Sequence, residues 1–309
     1  MSAFFKILFA AIVLAVMFFA FILAENYFMF PLRYSLGNVP DLNKRFVIGA
    51  STTAKLEGYY YTPNHKIEYF VNKPRIQSSK TVVFFGGNNE DVVFMFDYLR
   101  ETFPNLNILA INYPGYGLSL EERELLLETM AAKMMRILMR EFPDWTSLKT
   151  FYENSSLPKE TFENKIYRFV NEVWEKENIT GDVYVIGRSL GSGVAAEEVY
   201  RHKNITKALL ITPYNNMPSV ACSAINILPI YACKNWMDNI FESEGKLSQS
   251  NVEVWVVYAK NDEVVPNVST ERLLKFIKNK KVFLLNDADH NNIVETNEFE
   301  AILKDFINN

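Results

Sequence analysis

The chain has 309 residues, is 49% hydrophobic and carries a formal net charge of −4 at neutral pH. That is enough for one large domain with a substantial core, and a mildly acidic balance with dispersed basic residues argues against a nucleic-acid surface. There are two cysteines and three histidines, too few cysteines to make a metal site by themselves.

Residues 7–24 are an uninterrupted run of eighteen apolar residues between Lys6 and Glu25. As a helix the run would measure about 27 Å, just enough to cross a bilayer core. A cleaved signal peptide is the competing reading, but its apolar region is usually about 7–15 residues long and its cleavage site small-x-small, a pattern that Ile22 would break. Residues 1–25 are therefore expected to form a transmembrane anchor, or else a signal peptide, with 26–54 as a linker. Lys6 before the run and Arg33, Lys44 and Arg45 after it leave the positive-inside count nearly balanced. Single-span anchors of this shape most often leave the domain they carry outside the cytosol, so the expected side is periplasmic, extracytoplasmic or lumenal.

From residue 55 onward, apolar runs alternate with helical patterns, and no internal repeat or low-complexity tract is visible. A hairpin (56–61 and 66–71) is followed by a strand at 81–85 that runs into Gly86-Gly87-Asn88-Asn89, a helix over 90–102, and a strand at 107–112. After Gly117 come about 70 residues before the next sharp turn, well beyond the needs of one crossover helix. Within them 122–142 reads as an amphipathic helix, with Leu127, Met130, Met134, Ile137 and Leu138 on one face and Glu124, Glu128, Arg136 and Arg140 on another. Residues 144–157 continue this insertion, which spans about 121–160, with Trp145, Phe151 and Tyr152.

A helix over 163–177 leads to a strand at 182–187, the turn Gly187-Arg188-Ser189-Leu190-Gly191 and a helix over 190–203. A strand at 207–212 precedes the segment holding Cys222 and Cys233, which could pair in an oxidising compartment or be small buried hydrophobes. Next come a strand at 252–259 ending in Lys260-Asn261-Asp262-Glu263, a helix over 268–279, a strand at 281–285 ending in Asn286-Asp287-Ala288-Asp289-His290, and a helix over 293–307. Alternation of this kind predicts a mostly parallel, eight-stranded sheet with helices on both faces.

A G-x-S-x-G turn between strand and helix is a nucleophile elbow, which exposes the serine hydroxyl above the sheet. The carboxyl ends of parallel strands share one edge, so Ser189, Asp262 and His290 can converge there. A serine hydroxyl needs an imidazole to take its proton, and the imidazole needs a carboxylate to fix its tautomer. His65 lies in the early hairpin and His202 beside Arg201 and Lys203 at a helix end; both read as ordinary polar residues, which leaves His290 as the base. Asp287 and Asp289 stand too near His290 in sequence to reach the far side of its ring, whereas Asp262, on the neighbouring loop, can. The same two aspartates with His290 lack further ligands for a metal, and neither metal nor cofactor is expected.

Acyl transfer also needs donors for an oxyanion: the backbone N–H of Leu190, after the serine, and one from the early glycine loop, Gly87 with Asn88 next. The insertion can sit over the same edge as a lid, with Met134 and Leu138 as substrate-binding residues on an adaptable apolar surface, or it can be peripheral packing.

Four segments, Val82 to Asn89, Asn112 to Ser119, Gly187 to Gly193, and Tyr258 to Pro266 with Asp287 to Asn291, carry a resemblance to the Bem46-like serine hydrolases of the α/β-hydrolase superfamily. The resemblance implies the α/β-hydrolase fold and hydrolysis of an ester, thioester or amide on a small-molecule or lipid-like acyl substrate. The family usually has a histidine where this chain has Phe85, a departure that touches the packing of the glycine loop and not its N–H donors. The scaffold hosts many chemistries, so the expected activity is that of an ester- or thioester-cleaving serine hydrolase of carboxylesterase, lipase or thioesterase type. A catalytically silent interaction module and a serine peptidase of the same fold are the alternatives.

Overall fold

Six apolar runs lie side by side as parallel strands, and the alternation of their side chains decides which residues enter which layer of the core. The computed structural model describes residue 16 and residues 59–61, 65–73, 80–117, 119–121, 126–224 and 230–309. Its strands are β1 (Tyr59–Tyr61), β2 (His65–Asn72), β3 (Lys80–Phe85), β4 (Asn107–Ile111), β5 (Leu120–Glu121), β6 (Asp182–Arg188), β7 (Ile205–Ile211), β8 (Glu253–Ala259) and β9 (Lys280–Leu285). They pair in the order β1-β2-β4-β3-β6-β7-β8-β9, with β5 on β2. From β4 to β9 every pairing is parallel, whereas β2 is antiparallel to β1, β4 and β5. Among the described residues the sheet thus has nine strands where eight were expected, because two-residue β5 is too short to carry a periodic signal.

The helices are α1 (Val93–Thr102), α2 (Leu126–Glu141), α3 (Thr146–Asn154), α4 (Phe162–Lys176), α5 (Leu190–Arg201), α6 (Met217–Ala224), α7 (Ile230–Trp236), α8 (Glu244–Ser248), α9 (Asn267–Leu274) and α10 (Asn297–Asn308). Successive strand residues point to opposite faces. Val83, Phe85, Leu109, Val185, Leu210 and Val256 pack with Phe169, Val170 and Val173 of α4 and Val194 of α5. Their neighbours Val82, Phe84, Ile108, Ile186, Leu209 and Trp255 pack with Phe96 and Leu99 of α1 and Phe299, Leu303 and Phe306 of α10. Both faces of the sheet are covered, as parallel sheets require.

Some helices differ from expectation. The pattern over 293–307 divides into a 3₁₀ turn, Ile293–Glu295, and α10, because Thr296 is extended (ψ 144°) and its Oγ1 caps α10 by accepting from the N–H of Phe299 at 3.1 Å. The helix predicted over 268–279 stops at Leu274. Helices α6, α7 and α8 were not expected. The disulfide Cys222–Cys233 links α6 to α7, with a Cα–Cα distance of 6.0 Å.

The insertion folds as α2 and α3, which share a small core of Ala132, Met135 and Tyr152 with Met139, Leu148 and Leu157 against it. Arg136, read on the charged face of the amphipathic helix, is a largely buried tie. Its guanidinium donates to Asp238 through Nε (2.6 Å) and Nη2 (2.5 Å), and through Nη1 to Tyr152 Oη and the Pro158 carbonyl, both at 2.9 Å. The nearby Asp238 carboxylate holds the Arg136 pKa above its ordinary value despite burial. The expected anchor at 1–25 and linker at 26–54 lie, apart from Val16, outside the described residues. Among the described residues no helix is long and apolar enough to cross a membrane.

Candidate active site

Ser189 follows β6 with φ 49° and ψ −117°, a backbone conformation that costs a non-glycine residue energy and is held in place by its surroundings. Its N–H donates to the Ile211 carbonyl of neighbouring β7 at 2.8 Å, and its own carbonyl accepts from the N–H (2.9 Å) and Oγ (2.7 Å) of Ser192. The flanking glycines are needed for close approach. A Cβ on Gly187 would lie 2.4 Å from the Gly191 carbonyl oxygen, and one on Gly191 would lie 2.1 Å from that of Phe85. The start of α5 is therefore pressed directly against the loop that follows β3.

In the loop after β9, His290 turns its ring toward the serine, and Nε2 lies 3.1 Å from Ser189 Oγ. Its Nδ1 faces Asp262, at 3.0 Å from Oδ1 and 2.9 Å from Oδ2. A carboxylate at Nδ1 places the proton there and leaves Nε2 free to accept from the serine. Asp262 Oδ1 also accepts from the N–H groups of Val264 (2.9 Å) and Val265 (2.7 Å), and its side chain is 1% exposed. The two loops are stitched together: the Lys260 N–H donates to the Leu285 carbonyl at 2.9 Å and that of Asn261 to Ala288 at 3.3 Å.

The rival acids are placed elsewhere. Asp289 Oδ1 caps its own turn by accepting from the N–H groups of Asn291 (2.8 Å) and Asn292 (2.9 Å), and these amides, Asn292 first, lower its pKa. Asp287 is exposed. His202 lies against Trp174, with ring centroids 4.2 Å apart, and faces Glu198 at 3.0 Å. The side chain of His65 lies outside the described residues. Among the described residues, no group of three or more His, Cys, Asp or Glu side chains could hold a metal ion.

The two N–H groups expected as oxyanion donors differ in their surroundings. Leu190 is the first residue of α5, where the helix dipole favours negative charge. The Gly87 N–H, however, is not free: it donates to Glu90 Oε2 at 2.6 Å. Glu90 Oε1 in turn faces Arg188 Nη1 at 3.3 Å, while Arg188 Nη2 donates to the carbonyls of His290 (3.3 Å) and Asn291 (3.1 Å). Tyr113 Oη donates to the Gly86 carbonyl at 3.0 Å, and Tyr116 Oη to Asn88 Oδ1 at 2.5 Å. Burial pushes the Tyr113 pKa well up, so its hydroxyl stays a donor. Phe85 is fully buried in the core beneath this loop.

Glu90, Arg188 and Tyr113 were not singled out from sequence. The one available signal was position, since each adjoins or lies within a motif. Met134 and Leu138 are half-buried on α2, whose main packing partners are α3 and α7. The hydrogen-bonded network around Ser189 does not include them.

No protein-family model matches the sequence, and no curated protein matches it. Solved structures do match by fold. MGS-M2, an alpha/beta hydrolase enzyme from a Medee basin deep-sea metagenome library, aligns with TM-score 0.56 at 11% identity, covering 82% of this chain and 98% of its own. Est1E from Butyrivibrio proteoclasticus, solved with ferulic acid bound, gives 0.54 at 15%, covering 82% and 100%. The enol-lactonase from Burkholderia xenovorans LB400 gives 0.54 at 12%, also covering 82% and 100%. At such identities the likeness speaks for architecture alone, and together with the mostly parallel sheet it shows that this chain has the α/β-hydrolase fold.

Proposed function

We propose that the protein is a serine hydrolase that cleaves an ester or thioester bond through an acyl-enzyme on Ser189. The observation that carries this reading is the continuous chain of contacts from Asp262 through His290 to Ser189 Oγ, each 2.9–3.1 Å long. Ser189 Oγ attacks the acyl carbon while His290 Nε2 takes its proton, and the carbonyl oxygen becomes an oxyanion facing the N–H of Leu190 and, once available, that of Gly87. As the tetrahedral species collapses, the imidazolium returns the proton to the departing alcohol or thiol. Water then repeats the sequence on the acyl-enzyme, releasing the acid and restoring the serine. Asp262 fixes the tautomer and stabilises the imidazolium throughout.

The four motif segments support a place near the Bem46-like hydrolases, and the enol-lactonase among the structural neighbours supports acyl-ester chemistry. The apolar run at 7–24 supports membrane anchoring, and the Cys222–Cys233 disulfide supports a domain on the oxidising side of that membrane. Helix α2, with Met134 and Leu138, is assigned the acyl-facing side of a lid. A catalytically silent module remains the second reading, favoured by the Glu90 carboxylate on the Gly87 N–H.

Labelling with a fluorophosphonate probe, together with hydrolysis of p-nitrophenyl and thioester substrates, separates the two. Ser189→Ala should abolish labelling and turnover with an unchanged circular dichroism spectrum. Labelling that survives the change, or a folded native chain that turns over neither ester nor thioester, overturns the proposal.

A further inference from the structure

We propose that Glu90 is a gate on the oxyanion hole: its carboxylate holds the Gly87 N–H in the resting protein and must leave it for acyl transfer to proceed. The inference rests on the serine-hydrolase reading above. A carboxylate accepting from an amide at 2.6 Å is a strong, charge-assisted bond. It stands beside the nucleophile, since a Cβ built on Gly87 would lie 3.0 Å from Glu90 Oε2 and 3.5 Å from Ser189 Cβ. A developing oxyanion and this carboxylate compete for one donor and repel each other.

Glu90 is not needed to aim that donor. The Gly87 N–H belongs to the same peptide unit as the Gly86 carbonyl, and buried Tyr113 already fixes that unit through its 3.0 Å bond. The bare Cα of Gly191 packs against the same strand-to-loop junction from below, where a Cβ would meet the carbonyl oxygens of Phe85 at 2.1 Å and Gly86 at 2.6 Å. Removing Glu90 therefore leaves the N–H pointing where it points now, but unoccupied.

The carboxylate also has somewhere to stay. Oε1 is 3.3 Å from Arg188 Nη1, and Arg188 is itself pinned by two carbonyls of the histidine loop. Rotation of the Glu90 side chain can drop the Gly87 bond while the ion pair persists, so the gate opens without stranding a buried charge. Because loss of a single oxyanion donor costs about 10²–10³-fold in kcat, a resting state with that donor occupied must be displaced at a kinetic cost, as for any site whose competent form is fractionally populated.

The test compares the full-length wild type with Glu90→Ala and Glu90→Gln, each also in a Ser189→Ala background, on p-nitrophenyl acetate and with phenylboronic acid, whose tetrahedral serine adduct places an oxygen in the hole. Glu90→Ala should raise kcat at least tenfold with KM changed less than threefold, and should tighten boronate binding at least tenfold. Glu90→Gln keeps an acceptor but loses the charge and should fall between. A fall or no change in kcat and boronate affinity, with the melting temperature preserved, makes Glu90 a structural residue and overturns the gate. Should Glu90→Ala fail to fold, Glu90→Gln decides alone, with a rise of at least threefold expected and anything less overturning the gate. Turnover that persists in the Ser189→Ala background, or silence in wild type and both variants alike, instead defeats the serine-hydrolase reading and the gate with it. A wild type that reacts no more slowly than Glu90→Ala defeats the gate alone.

Discussion

Both carboxylate oxygens of Asp262 lie against Nδ1 of His290, at 3.0 and 2.9 Å, and Oδ1 is further fixed by two backbone amides of its own turn. The aspartate is thus aimed by its backbone, and the ring is aimed by the aspartate. An amide in its place could present its NH₂ to Nδ1, drawing the ring proton to Nε2 and leaving no acceptor for the serine. Asp262→Asn should therefore lower kcat by about 10³–10⁴-fold with little change in the fold. Asp287→Asn and Asp289→Asn should stay within a few-fold of wild type, because Asp287 is exposed and Asp289 is engaged in its own turn. Steady-state hydrolysis of a p-nitrophenyl ester measures all three, and a reversed ranking would move the acid into the histidine loop.

Tyr113 offers a second test. Its hydroxyl is the described contact that sets the plane of the Gly86–Gly87 peptide independently of Glu90. Tyr113→Phe removes one buried hydrogen bond, worth about 1 kcal/mol of stability, and frees the peptide to tilt its N–H away from the oxyanion. The expected result is a drop in kcat of about tenfold with a nearly constant KM, read in the same assay alongside a thermal melt. A loss confined to stability would show that the peptide is held by packing alone.

The residues of the proposed relay were legible because each closes an apolar run: Ser189 follows 182–187, Asp262 follows 252–259 and His290 follows 281–285. Strand ends of a parallel sheet converge whatever the intervening chain does, so one-dimensional order sufficed. The gate was not legible. Glu90 reads as the first residue of the helical pattern over 90–102, and only the curl of Gly87-Asn88-Asn89, with Asn89 at φ 61°, brings its carboxylate back to the Gly87 N–H. The role of Arg136 was hidden for a related reason, since helical periodicity cannot foresee a partner such as Asp238 contributed from about a hundred residues away. Helices α6 and α7 escaped notice because they are short and apolar, without an amphipathic period, and their mutual fixation depends on a disulfide that spacing alone left open.

That disulfide closes a loop of sequence separation 11. On chain-entropy grounds such a cross-link contributes about 2–3 kcal/mol, which for a domain of this size corresponds to about 5–10 °C in melting temperature. The double substitution Cys222→Ser with Cys233→Ser should lower the melting temperature by that amount, and dithiothreitol should do the same to the wild type. Scanning calorimetry with and without reductant, together with thiol counting in denaturant, checks both. Free thiols in the oxidised native protein would remove the bond and with it the support for an oxidising compartment.

The insertion is testable through chain length. Arg136 and its bonds to Asp238, Tyr152 and Pro158 fix α2 in place, while the Ala132 and Met135 face is consumed in packing against α3. On the proposal that the insertion is a lid, Met134 and Leu138, one turn apart and half-buried, form its acyl-facing surface. Gln at both positions keeps helix propensity but removes apolar surface, at roughly 0.8 kcal/mol for each methylene that a bound acyl chain would otherwise bury. If α2 is the acyl-facing side of a lid, the double variant should lower kcat/KM on the p-nitrophenyl octanoate ester about tenfold while leaving the acetate within twofold, since the shorter acyl group would not extend to Met134 and Leu138. Equal losses on both esters, or no loss on either with an unchanged melt, would assign Met134 and Leu138 to packing and leave the acyl-binding surface to be sought elsewhere along the strand ends.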